Sequence, residues 1–526
     1  MSYRQTPGGM LLPLSAQPSM KGYGDAGASR TKRALKSFRA ASGGAREDID
    51  PYNGTLRQRS RMLFMAAPIA TSAIRTQRTN TIGNGLKLKC RIGAAALGMT
   101  PERADAWERR TEAEFELWAA SKRACDATGI NDFYSIQQLA FQSWLMSGDC
   151  FVLFKRYPAA PLTPYALRLY VVEADRVCTP GTALSLSGSA RAKAANGNDI
   201  YDGVEVDPNG SIAAYYVCND PPGGYASAPG DWTRVEAYGA ATGLPNILQI
   251  MDTERPDQYR GVPYLSQIIE SVLQTRRYTE SELDAAVVQS MFTAFIKIEA
   301  DTTENPFNET NDVERRNPYD YHIGAGTVEV MNPGESVEFA DPKRPNTNFG
   351  GFIASVAERV GAALEIPADL LLKRFNASYS ASRAALLEAW KAFKMRRAWF
   401  ASDFCQPAYE TWLSEAVARG RIAAPGFFAS AGVRAAWLGA EWIGPSQGQL
   451  DPVKEINAEV LAIEQGITTR EQATVKLNGG SWDANMQKLE QENKRLAAAQ
   501  GGNAEGSPAA EQLRAVLREM LKAGGI

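Results

Sequence analysis

The stretch Ala381–Ala418, ASRAALLEAWKAFKMRRAWFASDFCQPAYETWLSEAVA, contains no glycine and one proline, Pro407. Large apolar side chains recur at Leu386, Trp390, Phe393, Phe400 and Phe404. Intervals of four and three set them along one stripe of an α-helix, broken at Arg397. Trp399 and Trp412 are expected to widen that stripe. Ser380 is placed to cap its start, and Gly420 to stop it. A helix of this length spans about 57 Å, more than the core of an ordinary domain needs. Pro407 lacks a backbone donor and is expected to bend it. Upstream lies the polar stretch Phe375–Ser382, and before that a second helical run, Phe352–Glu365, ended by Ile366-Pro367. The organising unit is therefore helix, polar loop, long helix.

A chain of 526 residues is too long for one compact core, so two or more domains are expected. The pattern of elements is α+β and mainly helical. The formal net charge is −2. A protein held on DNA by neutralising phosphates is usually basic, whereas one through which DNA slides is better without that brake. The near-neutral balance fits sliding, and fits most enzymes as well. Cys90, Cys125, Cys150, Cys178, Cys218 and Cys405 form no CxxC pair and read as reduced thiols. No secretory signal is expected, and no apolar run approaches the roughly 18 residues of a membrane span.

In chain order, residues 1–50 are rich in Gly, Ser and Ala, with Arg30, Lys32, Arg33, Lys36 and Arg39 clustered. They read either as a solvated arm or as an arm that contacts DNA or an acidic neighbour. Tyr52–Asn84 is expected to be helical and to end in the turn Gly83-Asn84-Gly85. No Lys-Ser/Thr follows to complete a phosphate loop, so a turn leading into a strand is the expectation. Helices follow at Pro101–Ala127 and Phe133–Met146, with Trp107, Phe115 and Trp118 as core, then a strand at Asp149–Arg156. Between about residues 150 and 255 the period switches to two, with strands at Leu167–Val172 and on either side of Asp207-Pro208-Asn209-Gly210. Tyr264–Phe292 reads as a helix, Phe295–Ile298 and Thr327–Val330 as strands. Later come a segment rich in Ala and Trp at Phe428–Ile443, a helical hairpin (Ile456–Gln465, Thr469–Leu477) across Gly466, a helix at Asn478–Ala499, a linker at Gln500–Ala509 and a tail helix at Glu511–Lys522.

Residues that carry chemistry are scarce. The single histidine, His322, lies beside Gly324-Ala325-Gly326 without a nucleophile motif, which argues against a histidine-based catalytic site. The same count argues against metal sites built from His and Cys. No Walker A motif is present, so ATP hydrolysis would belong to a partner.

Several of these segments resemble the portal proteins of tailed bacteriophages, in their lambda-type family. The resemblance is carried by Asn376-Ala-Ser-Tyr-Ser-Ala-Ser-Arg-Ala-Ala385 with Trp390 and Arg396-Arg397, by Trp442-Ile-Gly-Pro445 and the residues to Glu455, by the opening helix with its Asn80-Thr-Ile-Gly-Asn-Gly85 turn, and by Tyr259-Arg-Gly261. It covers about residues 50–500. The resemblance implies a flexible basic arm (1–50), a wing (51–258), a first stem helix (259–293), a clip (294–345), a second stem helix (346–366), a tunnel loop (367–383), a long wing helix with the segment after it (384–445), crown helices (446–499) and a linker with tail helix (500–526).

It further implies a non-enzymatic homo-oligomeric ring of about twelve copies. That ring would sit at one capsid vertex of the virion, after assembly in the bacterial cytoplasm, and take no cofactor. Double-stranded DNA would pass through it without being read. The terminase large subunit would dock on the clip, followed by a head-completion or adaptor protein. Wing and crown would meet the major capsid or scaffold protein. Lys373, Arg374, Asn376, Ser378, Tyr379 and Ser380 would then be channel residues, touching phosphates weakly. Lys373 and Arg374 read equally as a solvated helix end. Lys391, Lys394, Arg396 and Arg397 are candidates for a charged subunit interface or for DNA contact. The rival from another class is a metal-dependent nuclease or other hydrolase.

Overall fold

The structure is a computed structural model that describes residues 43–180, 192–219, 231–290, 294–298, 335–339, 348–375, 378–448 and 451–501, with short pieces before residue 43. Near the N-terminus β1 (Tyr3–Gln5) pairs antiparallel with β2 (Leu11–Pro13). Two helices, α1 (Ala45–Ala66) and α2 (Pro68–Thr81), stand where one run was expected. Pro68 supplies no N–H and pushes Ala67 into an extended conformation, φ −115° and ψ 110°, so the helix stops and restarts across one residue. Gly83 (φ +58°) and Gly85 (φ +106°) then turn the chain into β3 (Lys87–Cys90), the expected strand-leading turn.

The expected helix from Pro101 divides into α3 (Pro101–Ala119) and a single turn, α4 (Lys122–Cys125). Helix α5 (Phe133–Ser147) begins where the Asp132 carboxylate accepts from the Ser135 N–H at 2.7 Å and ends at Gly148, φ +89°. The period-two region follows as β4 (Asp149–Arg156), β5 (Leu167–Val172), β6 (Ala192–Lys193), β7 (Asp199–Tyr201), β8 (Val204–Val206), β9 (Ile212–Cys218), β10 (Trp232–Glu236) and β11 (Ile247–Met251). They form two sheets, ordered β11-β4-β5 and β10-β9-β8-β7-β6. Alternation along the first sheet decides its packing. Cys150, Val152, Leu167, Leu169, Leu248 and Ile250 face the large helical core, while Phe151, Val172 and Ile247 face a smaller core under the second sheet.

Helix α6 (Ile269–Ser290) leads to β12 (Ala294–Ile298), which pairs antiparallel with β13 (Glu335–Phe339), and α7 (Phe349–Ala363) returns beside α6. Tyr278 of α6 stacks on Phe349 at 5.7 Å and meets Phe352 edge-on at 4.6 Å. The strand expected at Thr327–Val330 and His322 lie outside the described residues, as do the linker and tail helix after Gly501. Next come α8 (Ala368–Leu372), α9 (Tyr379–Phe400) and α10 (Gln406–Ala418). The long helix starts earlier than expected, with Ser378 rather than Ser380 at its cap.

Near Pro407 the helix passes through a π-turn at Ala401–Cys405 immediately before α10. A widened turn accommodates the missing donor without breaking the helix. The stripe is buried at Trp390, Phe393, Phe400, Phe404 and Trp412. Trp399 departs from it and is 39% exposed, because nine residues on from Trp390 is about two and a half helical turns. Phe400 and Phe404 pack on Phe141 and Phe133 of α5, each pair 5.6 Å apart.

After α11 (Ala431–Trp437), β14 (Ala440–Ile443) crosses back to pair with β3, setting Trp442 opposite Leu88. The chain finishes with α12 (Pro452–Glu464), α13 (Arg470–Asn478) and α14 (Trp482–Gly501), the first two joined through Gly466 at φ +69°. Lys89 of β3 and Arg91 just after it hold this C-terminal group through Glu471, at 3.8 and 2.9 Å.

Candidate channel-facing segment and its anchors

The polar loop between α8 and α9 is fixed at its α8 end. On the α8 side the Ser72 hydroxyl of α2 donates to the Leu371 carbonyl at 2.7 Å, and Lys373 Nζ donates to the Thr76 hydroxyl at 2.8 Å. Lys373 closes α8 with φ +56°, a conformation that costs a side chain of its size. Burial beside α2 pushes its ammonium below the ordinary lysine value. Arg374 and Phe375 are exposed, and Ser378 stands at the cap of α9. Tyr379 and Ser380 form the first backbone turn of α9, and Asn376 lies outside the described residues.

The four basic residues nominated on α9 divide by direction. Lys391 is exposed and pairs with Glu388 at 2.6 Å, and Lys394 is exposed. Arg396 turns inward, to Glu365 at 2.6 Å, with its guanidinium 5.0 Å from the Tyr264 ring centre. Arg397 donates to the carbonyls of Thr81, Asn80 and Pro445, each at 2.9 Å. It has no carboxylate partner among the described residues, and burial pushes it down to about 10, still charged at neutral pH. The break in the apolar stripe is thus a clamp that ties α9 to the end of α2 and to the segment after β14.

That clamp brings separate sequence motifs together. A Cβ on Gly444 would lie 2.7 Å from Arg397 Nε and from Leu86 Cδ2, so the Trp442-Ile-Gly444 segment needs a residue without a side chain there. A Cβ on Gly83 would meet the Pro445 ring at 3.0 Å, and one on Gly85 would meet Tyr134 Cβ at 2.5 Å. The Gly83-Asn84-Gly85 turn, Arg397 and Gly444-Pro445 are parts of a single junction.

A second junction surrounds Arg260, which has no exposed surface. Its Nε and Nη2 donate to the Asp149 carboxylate at 2.6 and 3.1 Å, and Nη1 lies 2.9 Å from Asp202 Oδ2. It also donates to the carbonyls of Val177 at 2.7 Å and Ala174 at 2.9 Å. Arg57 of α1 continues the network to Asp202 at 2.5 Å and Asp175 at 3.1 Å. Burial alone would raise Asp202, but the Arg260 and Arg57 charges outweigh it and hold the carboxyl below its usual range. Arginines at 57 and 61 share a helix face by their spacing of four, the sequence signal that could have flagged this cluster. Its acids come from β4, the turn after β5 and the turn after β7, and spacing alone does not connect them.

Asp50 sits against the same network. Burial, and then the Asp202 charge, push it up to about 6 despite Arg260, Arg46 and Arg57. A raised carboxyl binds its proton more tightly folded than unfolded, so its contribution is full below about 3.8 and is lost as pH rises through about 6. Asp50→Asn is therefore expected to stabilise the subunit at about pH 7.5 by on the order of 1–2 kcal/mol. The gap should close below the ordinary carboxyl value of 3.8, and urea unfolding across that range checks it. An equal gap at every pH would show that the effect does not arise from Asp50 ionisation.

The model of a family described as phage portal protein, lambda family, matches residues 31–397. The chain belongs to that family, whose members are structural, non-enzymatic proteins of the phage particle. Portal protein B of Escherichia phage lambda is 23% identical over 449 residues, covering 82% of this chain and 81% of its own. The portal protein of Escherichia phage N15 is 23% identical over 455 residues, 82% of each chain. A probable portal protein of Halomonas phage phiHAP-1 is 25% identical over 436 residues, 81% of this chain and 77% of that one. Among solved structures, a chain from the virion of a native gene transfer agent particle superposes with TM-score 0.45 at 12% identity, covering 81% of this chain and 93% of that one. Family membership sets aside the nuclease alternative. Among the described residues no three His, Cys, Asp or Glu side chains gather to hold a metal ion.

Proposed function

We propose that this chain assembles head to tail into a closed ring of about twelve copies at one capsid vertex. Double-stranded DNA passes through the ring during packaging and ejection. In this reading α6 and α7 are stem helices, the β12–β13 ribbon belongs to the clip, α12 to α14 form the crown, and residues 367–383, which include α8 and the first turn of α9, are the tunnel loop. The clip docks the terminase large subunit and later a head-completion or adaptor protein. Wing and crown meet major capsid or scaffold protein.

The observation that supports the DNA-facing assignment is a loop held at its α8 end. Lys373 and Leu371 are held on α2. The stretch that follows, Arg374-Phe-Asn-Ala-Ser-Tyr-Ser380, contains no acid. A polar, acid-free loop held at its base can touch phosphates weakly while the strand moves. Alanine at Asn376, Ser378, Tyr379 and Ser380 together is expected to leave rings intact and lower the yield of DNA-filled heads severalfold. Imaging of rings, together with nuclease-protected DNA per head, checks this. Unchanged packaging would remove the loop from the channel.

A further inference from the structure

Two concave surfaces lie at opposite ends of α8 and share no residue. One is a cavity of about 500 Å³ between α1, α2 and Lys373. Its walls include Arg75 and Lys373 and no carboxylate. Its rim carries Met65, 77% exposed, with Met62, 63% exposed, one turn back on α1. The other is a groove, also of about 500 Å³, between α7, α9 and the start of α8. Its floor is small, with Gly361, Ala362 and Ala389. Its edges carry Glu358, Glu365 and Glu388; Glu388 is paired with Lys391 and Glu365 with Arg396. Among the described residues Arg75 and Glu358 make no ion pair.

We infer that these two surfaces are the halves of one contact between copies, the pocket of one subunit seating on the groove of the next with Arg75 facing Glu358. This rests on the ring reading above. Three features support it. The charges left without an ion pair, Arg75 and Glu358, are opposite, which fixes register and discourages wrong pairings. The shapes fit, since flexible methionine side chains suit a shallow groove floored by glycine and alanine. The patches are also different from each other, so a contact between them is heterologous, and heterologous contacts generate rings when the rotation closes.

The test uses the full chain carrying Met65→Cys and Ala362→Cys, with rings confirmed by imaging before a short bismaleimide is added. The native cysteines do not compete strongly, because five of the six are buried and Cys178 is partly so. The double variant should give a ladder of covalent oligomers reaching the full ring. Either single variant should give no more than the wild-type background, and a mixture of the two should stop at covalent dimers. Rings without cross-links from the double variant would overturn the contact and leave the ring reading standing. A single variant that cross-links to itself would overturn it too, since that is an isologous contact. Loss of rings with Met65→Cys, but not with Leu162→Cys at a site 94% exposed, would support the contact. Failure of the wild-type chain to form rings would bring down the ring reading together with this one.

Discussion

Arg260→Ala is expected to destabilise the subunit by about 3–5 kcal/mol, because removing one partner of a buried ion pair leaves the other charge unpaired. Asp149 has no exposed surface, and Asp202 would keep only Arg57. The carbonyls of Val177 and Ala174 would lose their donors as well. Arg260→Lys should recover little, since an ammonium cannot reproduce the fork that reaches Asp149 and two carbonyls at once. Urea unfolding followed by tryptophan fluorescence checks both variants. A loss under about 1 kcal/mol for Arg260→Ala would mean that water or repacking satisfies Asp149.

Gly261→Ala should be the more damaging change. A Cβ there would overlap the Gly148 carbonyl oxygen, so backbone must move. Gly148 is locked in turn, at φ +89°, where its own Cβ would run into the Gly261 carbonyl. These two glycines bring the end of α5 against the segment entering α6, and the Asn53 side chain donates to the Gly261 carbonyl at 2.8 Å. The expected outcome is loss of soluble folded subunit. Gly432→Ala is the control: it lies in α11 with only Ser430 Oγ near, at 3.9 Å. There the helical gain should make it neutral or stabilising by roughly 0.5–1 kcal/mol. Soluble Gly261→Ala with a wild-type melting curve would show that this crossing can open.

Much of the architecture was legible because periodicity reports burial. The strands Asp149–Arg156 and Leu167–Val172 fall where alternation places them, and the stripe from Trp390 to Phe404 is buried as its spacing requires. Boundaries were less legible where a proline acts through its neighbours. Pro68 divides one helical run into two, and Pro407 inserts a π-turn that no spacing rule anticipates. Trp399 falls outside the stripe because helical angle, not aromatic type, decides which side chains are covered. The junctions were the least legible part. Arg397 stands out as a gap in an apolar pattern, but its partners at Thr81 and Pro445 are distant in sequence. The same holds for Arg260 and Asp149, which come from different parts of the chain. Among the nominated loop and α9 residues, sequence could count charges but not direction, and the inward turn of Arg396 and Arg397 emerges only from packing.

The measurement that tests the ring assignment most directly is the mass and projection shape of the purified full chain, by mass photometry and negative-stain imaging. The account predicts a closed ring of about twelve copies around an open channel. A compact dimer or tetramer without a channel would contradict it.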